Sequence, residues 1–122
     1  MELCEDIKNT LLDFISDLKT EVFIEEVEQG ELFIVEFFFE RLHPERCMNH
    51  IIDYLLPWKR QVRNRDMEFF KENRHIFEGL PEDRIDYYSN KILTKVDQES
   101  IEVMWEFFDT MIELAETYKK NK

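Results

Sequence analysis

The sequence is poor in everything that breaks or staples a chain. Its 122 residues include two glycines, three prolines and two cysteines. A β-sandwich or barrel needs turn signals about every 8–12 residues, and few points here can host a tight turn. Cys4 and Cys47 make no disulfide framework, and cysteine this sparse fits a reducing compartment. No apolar run is long. Leu32 to Val35 and Phe37 to Phe39 are separated by Glu36 and are far too short to span a bilayer. The opening Met-Glu-Leu-Cys-Glu-Asp is acidic where a signal peptide would be basic, so a cytoplasmic protein without a membrane span is expected. Positive charge is also scarce. Sixteen Lys and Arg stand against 28 Asp and Glu, for a net charge of −12. Such a chain repels itself and is a poor candidate for direct nucleic-acid binding. There is no Gly-x-Ser-x-Gly and no glycine-rich loop to cradle phosphates.

Apolar residues are plentiful. The chain is 43% hydrophobic with eleven Phe, ample for a core over residues 1–122 as one helical domain. Leu3, Ile7, Leu11, Phe14, Ile15 and Leu18 recur every three or four residues and predict a first amphipathic helix. Leu32 to Leu42 is the densest apolar stretch, with Glu36 and Glu40 as its polar ridge. A helix so apolar is either central in the fold or covered by a partner. A hairpin turning at Gln29-Gly30 is the rival reading of this region.

His43-Pro44 stops that stretch, and Pro44 can open the next helix, carrying Cys47, Met48, Ile51, Ile52 and Leu55. From Trp58 one pattern runs through Val62, Phe69, Phe70, Ile76 and Phe77 to a cap at Gly79. A short helix follows Pro81. The last helix is capped by Asp97 or Ser100 and carries Ile101, Met104, Trp105, Phe108, Met111, Ile112 and Ala115 on one face. The expected fold is all-α, an irregular bundle of five to seven helices. Its core draws on Leu11, Phe14, Phe33, Phe37, Ile51, Leu55, Trp58, Phe69, Phe77, Ile85, Met104, Trp105, Phe108 and Ile112.

Two patterns could hold a metal. Glu40-Arg-Leu-His43 and Glu72-Asn-Arg-His75 both read Glu-x-x-His, which carboxylate-bridged di-iron bundles use twice. His75, however, points away from the apolar stripe, and Pro44 ends the helix just after His43. His43, Cys47 and His50 share one helix face and would suit zinc, but a fourth ligand must come from elsewhere, such as Cys4 or Asp53. The bland reading, exposed polar residues and a buried free Cys beside surface histidines, is favoured for both patterns. No cofactor is expected, and no catalytic constellation emerges.

Charge reverses between Lys59 and Arg74. Six cations face three anions there, a net of +3, which leaves −15 on the remainder. On one continuous helix, Arg60, Arg63, Lys71 and Arg74 would line a basic ridge able to dock an acidic partner, a phosphate or a second copy. The bland alternative is a solvated face paired with the acidic helices. Arg65, Asp66 and Asn73 fall near the apolar side of that helix. They either bond to one another when buried or mark a break at Asn64, with Asp66 capping a new helix.

Trp58-Lys-Arg-Gln-Val-Arg-Asn-Arg-Asp, Phe69-Phe70, Gly79-Leu80-Pro81-Glu82-Asp83-Arg84-Ile85, Tyr87-Tyr88 and Trp105-Glu-Phe-Phe-Asp give the second half a recognisable character. It resembles small acidic proteins of unassigned function encoded by giant DNA viruses. The resemblance implies an infected-cell cytoplasm or a virion. It brings no activity, cofactor or catalytic residue.

The expected function is a non-enzymatic protein–protein interaction module that self-associates, most simply as a homodimer. Its interaction surface is placed at Phe37, Phe38 and Phe39 and at the basic ridge. Two alternatives stand beside it. One is an acidic mimic of nucleic acid using carboxylates such as Glu21, Glu25 and Glu28, and the other is a metal-binding helical bundle.

Overall fold

A computed structural model describes residues 2–121. The fold is all-α, with no strand among the described residues. The first helix, α1 (Glu2–Asp17), buries the Cys4, Ile7, Leu11, Phe14 and Ile15 stripe. It runs on into a π-helical turn, Leu18–Val22, which widens the helix before the chain reverses. Helix α2 (Glu26–Glu40) follows, so the hairpin reading of this region is removed. The backbone N–H of Glu25 donates to Glu28 at its start (3.2 Å).

Helix α3 (Pro44–Tyr54) begins on its proline. The ring of His43 accepts from the N–H of Glu45 (3.2 Å) and caps this helix. Helix α1 packs against α2, α3 and the long last helix, and so forms the centre of the bundle.

The single helix expected from Trp58 to Phe77 is not formed. A 3₁₀ turn at Leu56–Trp58 leads into α4 (Lys59–Arg63), and α5 (Glu68–Glu72) starts anew after a break. Arg65 takes a left-handed conformation, φ 53°. Its guanidinium binds Asp109 through two hydrogen bonds (3.0 and 2.8 Å) and the Val62 carbonyl (3.0 Å), which holds that conformation. The break expected at Asn64 is present, and Asp66 accepts from the Glu68 N–H (3.0 Å), although the residue at the cap position of α5 is Met67 and not Asp66. Buried Asn73 then turns the chain out of α5, donating to the Tyr54 carbonyl and accepting from the His75 N–H (both 3.1 Å). A 3₁₀ turn, His75–Phe77, completes the segment.

Helix α6 (Glu82–Thr94) and helix α7 (Gln98–Lys120) close the fold. Asp97, not Ser100, caps α7, accepting from the Ser100 N–H (2.8 Å). The buried face of α7 carries the seven residues expected of it. Trp105 lies 4.8 Å from Phe70 and 5.8 Å from Phe69, centroid to centroid, and Phe108 joins them. A second aromatic cluster of Phe23, Phe77 and Tyr88 lies under α6. Cys4 and Cys47 are free and fully buried.

Candidate interaction surface

Helix α2 is built inside out over part of its length. Glu28 is 1% exposed, while Val27 beside it is 65% exposed and Phe33 59%. The inward carboxylates are received by α6, whose Arg84, Tyr87, Tyr88 and Lys91 recur at helical spacing. Lys91 donates to Glu28 (2.5 Å) and to Glu25 (3.0 Å), and the Tyr87 hydroxyl donates to Glu28 (2.6 Å). Arg84 donates twice to Glu31 (2.6 and 2.7 Å), and the Tyr88 hydroxyl adds a third bond (2.8 Å). Burial opposes the charge on Glu28, but the hydrogen bonds from Lys91, Tyr87 and the Glu25 N–H outweigh it and lower its pKa. Hydrogen bonding to Arg84 lowers that of Glu31. Burial, then the bond to Glu31, pushes the Tyr88 hydroxyl up. Each perturbed group here is consumed by its neighbour in the clamp.

The outward side of α2 is apolar. Val27, Phe33, Ile34, Phe37 and Phe38 are all exposed, and Ile24 stands just before them. Phe33 and Phe37 stack in parallel, centroids 6.5 Å apart. Their expected place in the core is therefore corrected. Leu32, Val35 and Phe39 already fill the inward side, which leaves no room for a second apolar face. Phe39, expected on the interaction surface, is instead buried edge-on against His50 (5.1 Å). Two rims frame the outward face. Lys19 bonds Glu36 (2.9 Å) and stands 5.9 Å from the Phe33 ring. On the other side the backbone of Gly79, φ 96°, comes so close that a Cβ there would lie 3.6 Å from Ile34 Cγ2 and 3.7 Å from Phe38 Cβ. Gly30 sits within the face, and a Cβ built on it would meet nothing within 4 Å.

The basic ridge is not formed. The left-handed turn at Arg65 separates α4 from α5, so Arg60 and Arg63 do not continue into Lys71 and Arg74. Arg74 reaches across to Asp86 on α6 (2.6 Å), and Lys59 with Arg63 turns to Glu116 on α7. Arg60 and Lys71 are exposed and make no ion pair among the described residues. The acidic trio Glu21, Glu25 and Glu28 is also divided, since Glu28 is enclosed and Glu25 shares its lysine.

The metal candidates are spent on structure. Cys47 Sγ lies 3.7 Å from the Phe39 carbonyl, and burial raises its pKa. His50 sits between Phe39 and Tyr54 with a ring nitrogen 3.3 Å from the His75 carbonyl. Burial lowers its pKa. His75 stacks on Tyr54 (3.6 Å) and bonds Glu78 (2.5 Å), while Glu40 and Glu72 are exposed elsewhere. No group of three His, Cys, Asp or Glu side chains able to share a metal ion occurs among the described residues. The cavity beside His50 and His75 holds about 30 Å³ and is apolar, far below the roughly 300–1,000 Å³ of small-molecule sites. No helix among the described residues is long and apolar enough to cross a membrane.

The residues missed as surface are Ile24, Val27, Gly30, Phe33 and Ile34. No local signal marks them: the long-range pairing of Glu28 with Lys91 and of Glu31 with Arg84 turns the charged side of α2 inward and the opposite side out. Comparison of the chain with protein-family models, curated proteins and solved structures finds no match.

Proposed function

We propose that this chain is a non-enzymatic protein–protein interaction module that self-associates through the outward face of α2. One observation carries the reading. A helix holds two carboxylates inward, clamped to α6, and turns Val27, Phe33, Ile34 and Phe37 to solvent. Continuous exposed apolar patches are uncommon on monomers and mark contact sites. The face is nearly free of charge, so a second copy of an acidic chain can approach it with the carboxylates kept to the rims. The perturbed groups of the α2–α6 clamp support a structural role for it, because hydrogen bonds and ion pairs between Glu28, Glu31, Arg84 and Lys91 absorb them. The resemblance of the second half to giant-virus proteins would place the module in an infected cell or virion.

The test is solution mass by light scattering across a dilution series at low and high salt. A dimer is expected that persists or tightens at high salt. Apolar contact survives screening, and the mutual repulsion of two −12 chains is relieved by it. A monomer at every concentration would overturn self-association. A dimer that salt dissolves would overturn the α2 face and move the contact to charged groups.

A further inference from the structure

We infer that the second copy lies antiparallel along α2, with its Phe37 ring seated over Gly30. The inference rests on the reading of the α2 face given above. Val27, Gly30, Ile34, Phe37 and Arg41 follow at intervals of three, four, three and four. That spacing keeps one narrow seam of a helix turned toward a partner helix. Ile34 is its midpoint. The seam has one gap, at Gly30, where a side chain would meet nothing within 4 Å, and one large projecting ring a full heptad on, at Phe37.

Direction follows from gap, ring and charge together. In the antiparallel arrangement Ile34 meets Ile34 of the second copy, and each Phe37 fills the gap at the other copy's Gly30. Arg41, whose guanidinium stands 5.3 Å from the Phe37 centroid, reaches the acidic first turn of the second α2 at Glu26. Glu40 lies at the same corner, so the cation stands between two carboxylates. The parallel arrangement sets Gly30 on Gly30 and leaves the gap empty. It also crowds Phe37 on Phe37 and puts Arg41 against Arg41, with both acidic first turns together. Opposed helix dipoles add to the preference. Charge and shape therefore select the antiparallel copy.

Disulfide trapping in the full chain tests the register. The native thiols are fully buried and do not compete. A disulfide needs Cα atoms within roughly 7 Å. In the antiparallel seam, Gly30 lies beside Phe37 of the second copy but about 10 Å along the axis from its own counterpart. Mixing Gly30→Cys with Phe37→Cys chains should give at least about fivefold more cross-linked dimer than either variant alone, and Ile34→Cys should cross-link to itself. Gly30→Leu should weaken dimerisation about tenfold by overfilling the gap. The monomer should melt no lower, because leucine replaces a helical glycine facing open space. Efficient self-cross-linking of Gly30→Cys would overturn the register, as would a mixed pair no better than the single variants. A monomeric wild type would instead overturn the underlying reading, so the two failures are distinguishable.

Discussion

Helices α2 and α7 are both amphipathic, and they spend their apolar residues in opposite ways. Helix α7 buries Ile101, Met104, Trp105, Phe108 and Met111 and turns Glu99, Glu102, Glu106 and Glu113 to water. Helix α2 encloses Glu28 and leaves Phe33 and Phe37 exposed. The contrast shows that a helix with one apolar stripe points it inward, whereas a helix with two leaves the direction to its partners. Here Arg84 and Lys91 on α6 decide it.

The contrast can be broken from either side. On α7, Trp105→Ala removes the ring that joins Phe69, Phe70 and Phe108. A stability loss of about 3–5 kcal/mol is expected in urea denaturation. On the inner side of α2, Glu28→Ala should cost about 2–3 kcal/mol. That is less than for a wholly enclosed pair, because Lys91 keeps Glu25 as a partner. Acid should reach the same clamp. Glu28 and Glu31 have folded-state pKa values below their ordinary 4.5, so their contribution is complete above that pH. It is lost as pH falls through the lower folded values. Thermal melts should therefore drop steeply below about pH 4.5, and the pH-dependence should shrink in Glu28→Gln. The smallest stability change belongs to the outer side. Phe37→Ser should leave the monomer within about 0.5 kcal/mol of wild type, because its ring is half exposed. In light scattering the same variant should shift the chain to monomer. A loss comparable to that of Trp105→Ala would place Phe37 back in the core and erase the contrast.

Most of the fold is legible in the sequence. The stripes of α1 and α7, the stop at His43-Pro44 and the cap at Asp97 are local signals, each carried by a few residues close in the chain. The break after Arg63 is only half legible. Asp66 advertises a cap, but the left-handed Arg65 depends on Asp109, which is distant in sequence. The basic ridge fails for the same reason, since one backbone angle separates its two halves. The outward face of α2 is the least legible feature. Phe33, Phe37 and Phe39 are alike as residue types, and only the long-range pairing of Glu28 and Glu31 with α6 decides which of them sees water.

The two enclosed thiols make the bundle its own clock. Cys4 and Cys47 are both wholly shielded, and burial pushes the Cys47 thiol up. A thiol reagent can modify them only when α1 and α3 separate. The rate at which native protein takes up such a label therefore counts openings of the bundle centre. Comparing that rate with and without dimerisation would read how far the outer contact steadies a region it never touches.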